Sequence, residues 1–429
     1  MSNQKQIAMR PQQSIYTLVL LGLFLLVFSC KTGGSGESES GATEESPGDR
    51  TGVTDTEITI GAWGPVTGPA ALWGNILKGT DAYFKMINEE GGIHGRKIKF
   101  VFKDDEYDPS KTVPAVRELV QRDEIFAIAG GLGTAPNMAV FEFIKENKVP
   151  WISPMSGASH WTYPAHPHVF STFPLYFDEG QIMAKFATEN QNIEKLGIIY
   201  MNDDFGKSGL VGVKSILKEK GLDFVSAVPV EPGDSDLSSH VAKLKDAGAE
   251  AVFLWTPPKQ ALLALSGAAV IGFEPVWYSS LVLSDMSLMH NITKGLWEGV
   301  YYTSVVTSGL DDESNTAMMK YKAAMKKHYP EVPWGIFPAI GFLLIEPLVE
   351  GLQQVGPDLT REKLLSAIEG IQNFQATAGI PVSFSTEQHL GTRSMVILQC
   401  KSATEAEKVS DLITGSADIG RLLEMLKEE

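Results

Sequence analysis

The chain has 429 residues, enough for two ordinary domains. With 43% hydrophobic residues and 9% aromatics its balance is globular, not disordered. A formal net charge of −16 argues against nucleic acid as a partner, because phosphate binding needs clustered basic residues.

The first 29 residues read as a targeting segment. Lys5 and Arg10 give a positive start, and residues 15–28 form an almost unbroken apolar run, too short to span a bilayer comfortably. The run ends Val27-Phe28-Ser29-Cys30. A small residue before a lone cysteine resembles the lipobox of bacterial lipoproteins, which implies that Cys30 is acylated and begins the mature chain. Phe28 is bulkier than that pattern usually has. The other cysteine is Cys400. With Cys30 acylated no internal disulfide forms, so the fold rests on its core. Residues 30–53, rich in Gly, Ser, Glu and Thr, read as a flexible tether.

From residue 54 onward apolar strands alternate with amphipathic helices. Glu57-Ile58-Thr59-Ile60 predicts a first strand, and Ile76, Ala82, Tyr83, Met86 and Ile87 predict a helix over 75–88. Between them lies a loop with Gly64, Pro65, Gly68, Pro69 and Trp73. The spacing leaves two roles open for Trp73, packing the loop onto its own domain or covering a ligand. Strands follow at 98–103, 125–129 and 149–153, with a helix over 109–122. The pattern restarts with strands at 196–201, 224–230, 251–255 and 276–279, and a helix over 206–220. A strand at 297–303 is expected to return to the first lobe, then a long apolar helix over 335–355, strands at 381–384 and 395–400, and a surface helix over 410–429. This predicts two doubly wound α/β lobes joined by a hinge. Lobe 1 takes 54–174 with 304–387, lobe 2 takes 175–303 with 388–410, and 411–429 is a C-terminal helix.

Motifs for catalysis are thin. The chain has no Gly-x-Ser-x-Gly elbow and no Walker A loop, and Pro136 stands where a dinucleotide fingerprint after Gly131-Leu132-Gly133 needs glycine. His160, His166 and His168 share one loop, but carboxylate or cysteine ligands at metal spacing are not evident beside them. Asp104-Asp105 and Asp203-Asp204 follow strands, where aspartates ordinarily cap helices and turns. No metal, cofactor or catalytic residue is expected.

What remains is a set of strand-end loops rich in Gly, hydroxyl and aromatic residues. The carriers are Gly64-Pro65-Val66-Thr67-Gly68-Pro69 with Trp73-Gly74, and Gly91-Gly92-Ile93-His94-Gly95 with Asp104-Asp105. Gly130 to Thr134, Val149-Pro150 with Ile152-Ser153-Pro154, and Asn202-Asp203-Asp204-Phe205-Gly206-Lys207 complete them. On these the chain, from about Thr54 to Cys400, resembles the substrate-binding proteins of branched-chain amino acid ABC importers, the Leu/Ile/Val-binding, type I periplasmic binding protein fold. The resemblance implies a two-lobed receptor that closes on one small molecule, serves ABC permease subunits, is not an enzyme and is expected as a monomer.

Position by position, the resemblance implies a ligand site. Trp73 matches the aromatic that caps the ligand, and Thr134 the hydroxyl that holds a carboxylate. Met155 and Gly157 match a loop offering backbone groups, Phe205 a second-lobe aromatic and Phe337 an apolar wall. Thr256, at the end of a second-lobe strand, joins the set. Where family members carry an acidic partner for an ammonium, this chain has Tyr176 and Leu281, with Asp178, Asp203, Asp204 or Asp285 as substitutes nearby. Trp151, Trp161, Trp255 and Trp277 near strand ends each read first as core packing, while as a group they suggest a bulky apolar or aromatic ligand; Thr134 with the Gly-rich loops suggests a carboxylate or other polar head. The expected function is an extracytoplasmic, lipid-anchored receptor for an amino acid or a related apolar or aromatic carboxylate. The alternative is a ligand-sensing domain for amino acids or amides without transport.

Overall fold

In a computed structural model the described residues are 48–307 and 309–429. The targeting segment and Cys30 lie outside them. The expected tether reaches into them only at 48–53, and these residues are docked, not loose. Arg361 donates from Nη1 to Asp49 at 2.8 Å and from Nε to the Phe126 carbonyl at 2.9 Å.

The first sheet holds five parallel strands, β1 (Glu57–Gly64), β2 (Lys97–Asp104), β3 (Ala127–Ala129), β4 (Trp151–Ile152) and β5 (Val169–Phe170), in the order β2-β1-β3-β4-β5. After its first residue β1 is buried along its whole length. That is the burial of a parallel strand covered on both faces. Helices α1 (Asn75–Glu89), α2 (Pro109–Gln121) and α3 (Thr134–Glu146) connect these strands. Asp108 caps α2 by accepting from the Ser110 N–H, and Pro109 takes the first helical position, where no N–H is needed.

The second sheet begins after α4 (Tyr176–Lys185). Strands β6 (Leu196–Met201), β7 (Ser226–Val230), β8 (Ala251–Trp255), β9 (Val276–Ser279) and β10 (Tyr301–Ser304) run parallel, with helices α5 (Asp204–Glu219), α6 (Ser238–Asp246), α7 (Pro258–Val270) and α8 (Met286–Ile292) between them. The strand expected at 297–303 to return to the first lobe is β10, and it pairs with β9 inside this sheet.

The chain then returns to the first lobe with α9 (Thr316–His328), α10 (Ile336–Leu343), α11 (Glu346–Val355) and α12 (Arg361–Glu369), followed by the small hairpin β11 (Phe374–Gln375) and β12 (Pro381–Val382). The long helix expected over 335–355 is broken into α10 and α11. Pro347 has no N–H to bond Leu343 and its ring crowds that turn. The Leu344 carbonyl freed at the break accepts from Ser153 Oγ (2.6 Å) and Thr172 Oγ1 (3.2 Å). The stretch Ile336–Val355 is long and apolar enough for a membrane, but 89% of its apolar 18-residue window is buried in the protein. α10 lies directly on α1, where a Cβ on Gly79 would stand 2.0 Å from the Pro338 carbonyl oxygen.

Strands β13 (Ser394–Cys400), β14 (Ala406–Lys408) and β15 (Ile413–Thr414) complete the second sheet, whose order is β14-β13-β10-β9-β8-β6-β7 with β15 beside β13. The surface helix expected over 410–429 shrinks to α13 (Ile419–Leu426), packed through Leu422 near Phe177 and Val211. Cys400 is buried and free. The chain passes between the sheets after β5, after β10 and again before β13, where Leu390 bridges Ser171. In the first sheet the order reverses between β1 and β3, in the second between β6 and β8. Such reversals leave a crevice at the carboxyl ends of the strands.

Candidate functional site

The two crevices face each other across one shared cavity. From the first sheet, the loop after β1 contributes Trp73 and the start of α1 contributes Ile76. The loops after β2, β3, β4 and β5 bring Tyr107, Leu132 with Gly133, Met155 and Phe173. The far wall is Tyr176 on α4, Phe205 on α5, and Leu281 with Val282 after β9. Phe337 and Ile340 on α10 close the floor.

Six of the expected site residues therefore line the cavity: Trp73, Met155, Tyr176, Phe205, Leu281 and Phe337. Thr134, Gly157 and Thr256 stand outside its lining. Thr134 opens α3, and its Oγ1 lies 2.7 Å from Ser156 Oγ. Gly157 is covered by the Tyr176 ring, whose Cδ1 would be 2.7 Å from a Cβ there. The Thr256 hydroxyl is buried without a hydrogen-bond partner, as are Trp255 Nε1 and Gln260 Oε1.

Trp73 is 5% exposed and packs both on its own lobe and across the cleft. Its ring centroid is 5.5 Å from that of Tyr107 on its own side, and Nε1 donates to the Val282 carbonyl at 2.9 Å on the other. Opposite, Tyr176 and Phe205 meet at 5.0 Å. Asp285 makes a second tie across the cleft. Its carboxylate caps α8 through the Leu288 N–H and accepts from the Phe337 N–H of α10, each at 3.1 Å. Both ties hold the two lobes closed.

Among the described residues no acidic side chain lines the cavity. Asp178 is committed to Arg393, with Nε and Nη2 each 2.6 Å from one of its oxygens. Asp203 caps α5 through the Gly206 N–H, Asp204 sits in the first turn of that helix, and Asp285 caps two helices. The residue after Asp178 is a second buried carboxylate, Glu179, also on α4. It accepts from the Leu281 N–H at 2.5 Å, from Ser280 Oγ at 3.0 Å and from Thr303 Oγ1. Burial pushes it up to about 7 against these three donors. It fixes the turn that presents Leu281 and Val282.

Tyr107 was not legible as a site residue. It follows Glu106 in a loop where both take positive φ, 53° and 64°. Asp104 accepts from the Glu106 N–H and Asp105 from the Tyr107 N–H, at 3.1 and 2.9 Å, which holds the turn. Burial raises Asp105 to about 6. The Asp-Asp-x-Tyr run was the available signal. Ile76, Leu132, Phe173, Val282 and Ile340 were also missed, because an apolar side chain on a helix or strand end reads the same in core and in pocket.

Trp151, Trp161 and Trp255 are fully buried and Trp277 half-buried, and none lines the cavity. Trp151 packs between Trp63 and Trp161, at 5.3 and 5.7 Å. Their bulk reports the core, so they carry nothing about the ligand. Among the described residues no cluster of three or more His, Cys, Asp or Glu is placed to hold a metal. His389 stacks on Phe170 at 4.0 Å and its Nδ1 lies 2.7 Å from the His166 carbonyl oxygen.

Residues 57–405 match the family described as periplasmic binding protein. A Leu/Ile/Val-binding protein homolog from Brucella melitensis is 32% identical over 46% of this chain, and the match spans about half of the relative, 54%. A leucine-, isoleucine-, valine-, threonine- and alanine-binding protein from Pseudomonas aeruginosa is 23% identical over 75% of this chain and 84% of the relative. Among solved structures, a fatty acid ABC transporter substrate-binding protein from Thermomonospora curvata superposes with a TM-score of 0.76 at 25% identity, covering 87% of this chain and 96% of that one. A branched-chain amino acid transporter substrate-binding protein from Streptococcus pneumoniae, in complex with isoleucine, superposes with a TM-score of 0.71 over 84% of this chain and all of that one. At 18% identity it shows the fold alone.

Proposed function

The chain belongs to the periplasmic binding protein family, and from that premise we propose that it is the extracytoplasmic solute receptor of an ABC importer, taking one mainly apolar small molecule between its lobes. The observation that carries this reading is the cavity, lined from both sheets by aromatic and aliphatic side chains, with Trp73 bonded across the cleft and Asp285 joining the lobes beside it. A ligand that touches both lobes favours the closed form by its differential affinity, and the closed form is what a permease recognises. Binding and delivery need no chemical step, so the reading assigns no catalytic residue. The same family reading supports a monomer that works with permease subunits.

The proposal includes the lipid anchor at Cys30, on the sequence pattern around Ser29-Cys30. Mass spectrometry of the native protein tests it. An acylated Cys30 at the mature N-terminus is expected, and an unmodified Cys30 sinks the anchor.

The receptor reading is tested by scattering. Protein saturated with its ligand should show a smaller radius of gyration than ligand-free protein. Identical profiles would remove closure as the mechanism.

A further inference from the structure

The polar end of the cavity is where this chain departs from a simple anion site. A hydroxyl and free N–H groups at a helix start are ordinarily ready to receive a carboxylate. Here they are covered by the chain's own phenols. Gly133, before α3, has φ 100°, and a Cβ on it would stand 2.3 Å from Tyr107 Cε2. Gly157 is covered in the same way by Tyr176, which also donates its backbone N–H to the Gly157 carbonyl at 2.9 Å. Among the side chains that line the cavity, only Trp73, Tyr107 and Tyr176 carry a nitrogen or oxygen, and Trp73 Nε1 is taken by the Val282 carbonyl. Burial raises both phenols above their ordinary range, so they stay neutral and keep a proton to donate.

The charges around this end have one sign. Asp105 and Asp203 lie close enough to act on Tyr107, and Glu179 on Tyr176. No Lys, Arg or His is among the residues that line the cavity. A ligand carboxylate would lose its water beside buried carboxylates with no cation in compensation. A ligand ammonium would find no acidic side chain in the wall.

We propose that the cleft selects a neutral, mainly apolar ligand whose polar atom is a hydrogen-bond acceptor, such as an amide or ketone carbonyl, received by the hydroxyls of Tyr107 and Tyr176. This deepens the receptor reading and rests on it.

The test is calorimetry at pH 7.5 with matched probes: 4-methylpentanamide, 4-methylpentanoate and leucine, then phenylacetamide and phenylacetate. Each amide should bind at least ~10-fold tighter than its carboxylate, and tighter than leucine. Tyr107→Phe and Tyr176→Phe, with thermal melts to establish folding, should each weaken amide binding about 3- to 10-fold. Carboxylates or leucine binding as well as the amides would overturn the neutral-ligand proposal and leave the receptor reading standing. Amide preference untouched in both Phe variants would overturn the role given to the phenols. If no probe binds, and protein purified from its native cells releases no small molecule on denaturation, the receptor reading falls with the proposal.

Discussion

Trp73 is the side chain on which closure and ligand contact converge, so its substitution separates the two. The ring is almost fully buried, lines the cavity and packs on Tyr107, while Nε1 donates across the cleft to Val282 at 2.9 Å. A buried Trp covers about 150–250 Å². At ~25 cal/mol per Å² that is on the order of 4–6 kcal/mol, part of which survives in an open form through Tyr107. Truncation of such an anchor ordinarily costs about 2–4 kcal/mol. Trp73→Ala should therefore weaken ligand binding roughly 30- to 1,000-fold. Trp73→Phe keeps a smaller ring and removes the cross-lobe hydrogen bond, worth ~0.5–1.5 kcal/mol, so a loss of at least roughly 2- to 12-fold is expected. Calorimetry with the tightest probe gives both constants, and scattering shows whether Trp73→Phe needs more ligand to contract. A wild-type constant for Trp73→Phe together with a loss under ~5-fold for Trp73→Ala would show that the ring belongs to its own lobe only.

Asp285→Ala removes the acceptor that joins α8 to the start of α10, and should weaken binding by about 1–3 kcal/mol while leaving the cavity lining intact; unchanged affinity by calorimetry would refute the tie. Glu179 is raised from 4.5 to about 7 by burial. The folded state therefore holds its proton more tightly, so this stability is fully present below about pH 4.5 and is lost as pH rises through about 7, on the order of 3 kcal/mol in all. Urea melts at pH 5 and 8 should show that loss, and Glu179→Gln should flatten it; equal slopes in the two proteins would contradict the assignment. Gly209→Ala would press a Cβ to 2.2 Å from the Trp255 ring, at the crossing of α5 over β8, and should destabilise by about 1–3 kcal/mol in thermal melts.

The alternation of strands and helices was legible because each strand is a short buried run bounded by glycine or proline, and each main helix carries one apolar face. Strands Leu196–Met201, Ala251–Trp255 and Val276–Ser279 lie where the pattern puts them. What failed has identifiable physical causes. Pro347 splits a helix whose apolar run continues through it. β10 cannot be assigned to a sheet by its composition, because pairing with β9 is a matter of tertiary order. At the site, Trp73 and Phe205 stood out because each follows a strand at the opening of a helix. Thr134 stood out for the same reason, yet its hydroxyl is turned to Ser156, 22 residues on in the loop after β4, a pairing that local sequence does not show.

The two cross-lobe ties share a construction that bears on how this cleft can change its ligand. Each joins one side chain to one backbone group of the other lobe: Trp73 to the Val282 carbonyl, Asp285 to the Phe337 N–H. The backbone partners belong to residues whose own side chains line the cavity. A substitution at position 282 or 337 alters the wall the ligand meets and leaves the C=O or N–H of the tie in place. Selectivity and closure are thereby held by different atoms of the same residues. Val282→Ala and Phe337→Leu should change the ranking of the matched probes while the ligand-induced contraction persists. Loss of contraction in both would mean that the side chains, and not the backbone ties, keep the lobes together.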